Sequence, residues 1–386
     1  MIDSIMYVLV FLFAPAAVLW ACGKVSILGK IGPVLVLYML GLILGNTWKP
    51  EGLPAVQDAL SSAMVPLAIP LMLFGCEFRK GETRSQMLAL VTGIVAVCLA
   101  VVAGYFIFGR NIPQGYKIGG MLTGVYTGGT INLAALKSML GVSEETYILL
   151  NSYDMIISFL FLVFLLSAGI RLFRKFLPNE TLKAATEEEM ADIRKEVDKA
   201  GANPYKGLFS REGLKDAGFL LALTVVIVGI SAGLGLLAGD GWFMVVLILM
   251  LTTLGIAASF IPAVKSKKYG YDIGMYFIYI FCIVVASMAD LKKFDLASGA
   301  SMLGYLTLVI FGSLLLQVIF AKIFSIDSDT MVISSVAFIC SPPFVPMMAA
   351  AMKNKRVLVA GLSIGIIGYA AGNYLGFLIS EFLKLL

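Results

Sequence analysis

The chain has 386 residues, of which 60% are hydrophobic and only 14% charged, with a mean hydropathy of +0.95 and a formal net charge of +5. A soluble domain carries roughly 25% charged residues, so the composition excludes a soluble globular protein and predicts an all-α polytopic membrane protein. The absence of histidine removes histidine metal centres, histidine triads and histidine proton relays, and the small positive balance reads as loop charge with no nucleic-acid partner.

The N-terminus, Met1-Ile2-Asp3-Ser4, is acidic where a signal peptide needs a positive region, so the first apolar helix is expected to be retained. A full span takes about 20 apolar residues. On that basis the first half gives segments at Ile5–Ala21, Ile31–Leu44, Ala59–Cys76, Met87–Phe108 and Tyr147–Ile170. The second gives Phe219–Ala238, Trp242–Ser259, Met275–Met288, Met302–Phe324 and Val357–Ile379. Two interrupted segments, about 115–142 and 329–352, complete the set. The five cysteines (Cys22, Cys76, Cys98, Cys282, Cys340) lie in or beside apolar stretches without CxxC spacing and read as small core residues.

The interruptions are Tyr126-Thr127-Gly128-Gly129-Thr130-Ile131-Asn132 and Cys340-Ser341-Pro342-Pro343-Phe344-Val345-Pro346, about 214 residues apart. Paired breaks at corresponding places in two halves point to a transporter's binding site. A broken helix leaves backbone groups unpaired, and lipid tolerates this only where they face a protein-lined cavity. The halves also match in spacing: Phe74-Gly75-Cys76-Glu77-Phe78-Arg79-Lys80 lies 213 positions before Ser287-Met288-Ala289-Asp290-Leu291-Lys292-Lys293. The expected organisation is a first membrane repeat over 1–170, a polar cytoplasmic linker over 171–215 and a second membrane repeat over 216–386.

Charge bias separates two topologies. Ten spans, two re-entrant hairpins and an outside N-terminus put 22 of the 29 lysines and arginines inside. That excess survives when the linker is set aside, whereas twelve full crossings lose it, so the positive-inside rule favours inverted repeats with hairpins. The arm Tyr116–Tyr126 also spans only about 16 Å as helix, half of a bilayer core. The alternative is a discontinuous helix whose halves meet at midplane. The linker, with Glu187-Glu188-Glu189 among many lysines, reads as a solvated connector carrying a short amphipathic helix.

At the first tip, Gly128 and Gly129 permit a tight turn and close approach to a ligand, and Thr127, Thr130 and Asn132 supply polar groups beside it. The half-helix that begins there presents free N–H groups suited to a carboxylate, a reading favoured over Thr and Asn merely capping it. At the second tip, Pro342 and Pro343 forbid a continuous helix and free carbonyls, with Ser341 the one polar side chain. These eight residues are the candidate substrate site. Asn151, Asp154 and Ser158 share one helix face, and Asp154 is the one carboxylate placed well inside a span, its expected role being sodium coupling or proton carriage. Asn151, Asp154, Thr130 and Asn373 (from the counterpart helix) form the candidate ion-coupling set, with no other cofactor or metal. Glu77 and Asp290 read as boundary residues, and Lys137 as reaching the interface. Gly361, Gly365, Gly368, Gly372 and Gly376 form a small-residue seam for close helix packing.

The stretch Tyr126 to Ala135, with Ser341-Pro342-Pro343-Phe344-Val345-Pro346 and Gly368-Tyr369-Ala370-Ala371-Gly372-Asn373-Tyr374-Leu375-Gly376, resembles motifs of the membrane family called domain of unknown function 819. The resemblance covers essentially the whole chain. That family is grouped with cation–proton antiporters and anion transporters, including bile-acid and glutamate sodium symporters. The resemblance implies inverted repeats, a rigid scaffold with a moving core domain, and a homodimer formed through the scaffold. It carries the crossover oxygens onto Thr127, Thr130, Asn132 and Ser341, with Asn151 and Asp154 nearby. Many antiporters of the clan have two adjacent polar or acidic residues; here Asn151 and Asp154 stand three apart, which weighs against simple antiport.

The leading expectation is a sodium- or proton-coupled secondary transporter of an amino acid, small peptide or carboxylate, working by an elevator motion in the inner membrane. The alternative is a monovalent cation–proton antiporter using Asp154. A membrane enzyme or sensor is the third class; HExxH and GxxxxGK[ST] are missing, and the two GxSxG matches, at Gly229–Gly233 and Gly361–Gly365, fall inside apolar spans of a chain with no histidine to complete a triad, so no enzymatic activity is expected.

Overall fold

The computed structural model describes residues 2–25, 28, 32–47, 52–75, 84–178, 205, 207–239, 242–289 and 296–386. Among them every regular element is helical. The first half runs α1 (Ile2–Lys24), α2 (Pro33–Thr47), α3 (Leu53–Leu73), α4 (Arg84–Ile107), α5 (Gly115–Leu140, broken at Gly129) and α6 (Glu144–Phe176). The second runs α7 (Arg211–Ala238), α8 (Phe243–Ser259), α9 (Gly270–Met288), α10 (Leu296–Ile323), α11 (Ser328–Ile339), α12 (Val345–Met352) and α13 (Lys355–Lys384).

Among the described residues, eight helices are long and apolar enough to cross a membrane. The sequence reading expects ten; the difference lies in α2 and α8, which have 15 and 17 residues and so extend only about 22 and 26 Å against a core of about 30 Å. Large apolar side chains face outward along the long helices, such as Val91, Val95 and Leu99 on α4 and Val225, Val226 and Ile230 on α7. Lipid, unlike water, exacts no cost for that exposure. These features make the chain a polytopic helical membrane protein.

Residues 171–176 belong to α6 and residues 211–215 to α7, so both ends of the expected 171–215 linker are helical. Glu187 to Glu189 lie outside the described residues, as do Cys76, Glu77 and Asp290 and hence most of the acid–base motif that relates the halves.

The chain forms two compact units, each drawing segments from both halves of the sequence. Unit 1 comprises Met1–Gly75, Lys137–Ser152 and Tyr205–Leu296. Its centre is α9, packed on α1, α2 and α3, with α8 joining α3 to α7. Glycines set the closeness of approach: a Cβ at Gly41 or Gly45 would enter the α9 backbone at Ile283 or Ser287. Gln57 Nε2 donates to Ser287 Oγ at 2.8 Å and Asn46 Nδ2 to the Ala289 carbonyl at 3.1 Å, satisfying polar groups that lipid cannot. Lys137, expected to reach the interface, is instead buried: its Nζ pairs with Glu144 at 2.7 Å and lies 5.9 Å from the Phe281 ring centroid. A buried charge needs such a partner.

Unit 2 comprises Cys76–Leu136, Tyr153–Pro204 and Ala297–Leu386, and it contains both interruptions. Helix α13 packs on α4, α11 and α12. Tyr305 OH donates to the Val101 carbonyl at 2.8 Å, and Gln317 Nε2 to Ser334 Oγ at 3.1 Å. Within α6, residues Leu165–Gly169 form one π-helical turn, and Arg174 in the turns beyond it reaches Asp329 at the start of α11.

Candidate functional site

Both interruptions hinge on one residue with the same unusual backbone. Gly129 has φ 71° and ψ −169°, and Ser341 has φ 74° and ψ 161°. This region is populated almost only by glycine; a residue with a side chain is strained there by roughly 1–3 kcal/mol. Gly129 meets the requirement freely, whereas Ser341 does not, so its neighbours must hold it. Pro342 and Pro343 follow in a 3-10 turn (Pro342–Phe344) before α12 starts, and a proline ring after Ser341 disfavours a helical conformation at that residue.

The first interruption reverses the chain. Leu136 lies against Gly124, where any Cβ would collide with it. In a continuous helix these residues would be about 18 Å apart, so α5 is a hairpin whose second arm returns along the first. The two tips then meet, because a Cβ at Gly129 would strike Ser341 Oγ.

Helix α13 is the floor for both hairpins. A Cβ at Gly361 would meet Ile333 and Val345, and one at Gly365 would meet Pro342, all from the second interruption. One at Gly368 would enter the Thr127 carbonyl, one at Gly372 the Asn132 side chain, and one at Gly376 Leu136, all from the first. The seam read as a helix-packing face thus seats both hairpins along a single helix.

The candidate substrate residues divide by exposure. Thr127 is fully buried and its hydroxyl donates to the Thr123 carbonyl at 2.8 Å. Asn132 is also buried and donates to the Tyr369 carbonyl at 3.2 Å, tying the hairpin to α13. Gly128 packs on the Gly368 carbonyl, where a Cβ would come within 2.7 Å. Thr130, Ser341 and Pro342 are partly exposed at the tips, and the Pro343 backbone belongs to the same turn.

The ion-coupling residues fall in different places. Asp154 is buried in unit 2 and accepts a hydrogen bond from Ser158 Oγ at 2.9 Å. The fully buried Tyr126 hydroxyl, three residues before the first break, faces the same carboxylate. The Cys340 thiol, one residue before the second break, also faces Asp154 and lies 3.8 Å from the Ser158 carbonyl. Asn373 is buried on α13. Asn151 belongs to unit 1, where its amide nitrogen donates to the Tyr38 hydroxyl at 2.5 Å.

Sequence reasoning treats Tyr126 as part of a motif and Cys340 as core; their adjacency to the two breaks was the available signal. It also misses Asp329, which is buried. The Arg174 guanidinium forks onto both its carboxylate oxygens at 2.8 Å each and donates to the Met352 carbonyl at 3.0 Å, while Asn354 Nδ2 reaches Asp329 at 3.0 Å. This cluster ties the start of α11 to the end of α12, so it closes the base of the second interruption.

A family profile described as "Protein of unknown function (DUF819)" matches residues 10–386. The chain is also similar to the uncharacterized membrane protein YjcL of Bacillus subtilis (strain 168), 25% identical over 341 residues that cover 83% of this chain and 82% of that protein. Eight apolar helices and a relative described as a membrane protein make this a multi-pass membrane protein. With essentially its whole length matched, the chain belongs to the DUF819 family.

Proposed function

We propose that this protein is an ion-coupled secondary transporter of a small polar or anionic metabolite, an amino acid, small peptide or carboxylate, driven by sodium or protons. The observation that carries this reading is the meeting of two broken segments, Gly129 against Ser341, beside a buried carboxylate. A protein that only had to span lipid would gain nothing from two interruptions; a carrier uses them to bring bare backbone and partly exposed hydroxyls, here Thr130 and Ser341, to a solute.

The order of elements supports an inverted repeat: a long helix, a short helix (α2 or α8), two long helices, an interrupted segment and a closing long helix occur in each half. On this reading unit 2 is the moving carrier of an elevator mechanism and unit 1 the scaffold through which two copies pair. The inner membrane, the cytoplasmic linker and the outside N-terminus belong to the same proposal, as does the kinship with sodium symporters. A cation–proton antiporter would use Asp154 without any organic solute, and the same experiment separates the two.

The test is the melting temperature of the purified protein against amino acids, dipeptides and carboxylates, each with and without sodium and at several pH values. A ligand at 100 times its Kd stabilises by about 2.7 kcal/mol, enough for a rise of several degrees. We expect one solute class to stabilise the protein. Stabilisation by cations alone would favour the antiporter, and no response to any solute or ion would overturn the carrier reading.

A further inference from the structure

If unit 2 carries a solute, the identity of its coupling ion follows from what surrounds Asp154, and we propose that this ion is the proton, bound by Asp154 itself. The titratable and polar groups that face the carboxylate come from three elements: Tyr126 on the first hairpin, Cys340 at the second break and Ser158 on its own helix. Each carries an O–H or S–H, the hydroxyls of Ser158 and Tyr126 aimed at the carboxylate and the Cys340 thiol at the Ser158 carbonyl. Among the described residues no lysine, arginine or second carboxylate reaches Asp154.

Donors around a carboxylate stabilise its anion without a metal. A hard cation asks the opposite of a site: several oxygen acceptors converging on one point. Here one neighbour is a thiol, which suits soft metals. The Ser158 carbonyl accepts from the Cys340 thiol at 3.8 Å.

Tyr126 adds the second half of the argument. Its hydroxyl is fully buried and its facing group is the Asp154 carboxylate. A buried donor needs an acceptor, and here that acceptor can change its charge. The anion accepts from Tyr126, and the neutral acid releases it. Tyrosine and cysteine ordinarily titrate near 10 and 8.5, and a carboxyl group near 4, so Asp154 is the group in the cluster suited to exchange protons with water. The cycle is balanced: a proton enters from one side, neutralises Asp154, and leaves to the other, with no covalent change.

Two measurements on the full-length protein test this. In pH-difference infrared spectra, we expect a carboxyl band present in the wild type and missing in Asp154→Asn, with the same midpoint in choline chloride and sodium chloride. A midpoint that falls as sodium replaces choline would mean that sodium competes for the carboxylate and would overturn the proposal. Tyr126→Phe, which keeps the ring, should move that midpoint to higher pH; an unchanged midpoint would overturn the role of Tyr126. In proteoliposomes given amino acids, dipeptides and carboxylates, we expect uptake driven by a pH gradient without sodium and lost in Asp154→Asn. Uptake driven by sodium alone would overturn proton coupling and leave the carrier reading standing. Titration of Asp154 with no solute moved under either gradient would overturn the carrier reading instead.

Discussion

At the scale of single residues, Ser341 is the clearest point of tension. It occupies a glycine-type conformation at φ 74°, and a serine held there is strained by roughly 1–3 kcal/mol. Ser341→Gly should therefore raise the melting temperature while lowering solute uptake, because the hydroxyl at the crossing is lost. A variant that melts lower would contradict the strain. Gly129→Ala should lower the melting temperature, since its Cβ meets Ser341 and φ 71° disfavours any side chain. Thr127 teaches a different lesson. It is the sort of residue that sequence reading assigns to a ligand, yet its hydroxyl serves its own helix, which only coordinates could reveal.

At the scale of elements, α13 is the common seat of both hairpins, and its glycines are distinguished by what faces them. Gly368→Ala would put a methyl group into the Thr127 carbonyl, so a loss of about 1–3 kcal/mol is expected from overpacking. Gly233→Ala on α7, with nothing within 4 Å, should be neutral or slightly stabilising. Comparable melting of the two variants would show that the seam is not tight. The Arg174–Asp329 pair makes a second element-level prediction. Breaking a buried ion pair costs about 3–5 kcal/mol, and partial exposure of Arg174 places Arg174→Met at the lower end. Hydrogen exchange should accelerate over α11 and α12 in that variant; protection equal to wild type would mean that the pair does not close the hairpin base.

At the scale of the whole molecule, the two compact units are assembled from alternating stretches of both halves, with both interruptions in unit 2. Division of the chain into successive halves, natural from the spacing of motifs, does not anticipate that interleaving. Helices meet partners that are far away in sequence, and spacing carries no information on which partner each will find. The topology proposed from loop charge makes its own prediction here. A cysteine introduced in the linker, Ala184→Cys, should react with an impermeant maleimide in inverted vesicles and not in intact cells. Labelling from outside would reverse the orientation.

What the sequence determined alone follows from composition and local chemistry. Sixty per cent apolar residues require lipid, glycine and proline break helices wherever they cluster, and an acid inside an apolar run stands out against its neighbours. The helices, both break points and Asp154 could therefore be read from one dimension. The tertiary structure alone decided what those breaks do. It showed α5 returning on itself, since Leu136 packs on Gly124, and it brought Gly129 to Ser341 and set Tyr126 and Cys340 around Asp154. It also buried Asp329 beneath Arg174, a pairing across 155 positions. Each of these is a contact between residues whose partners are chosen by packing, and packing is a property of the folded chain as a whole.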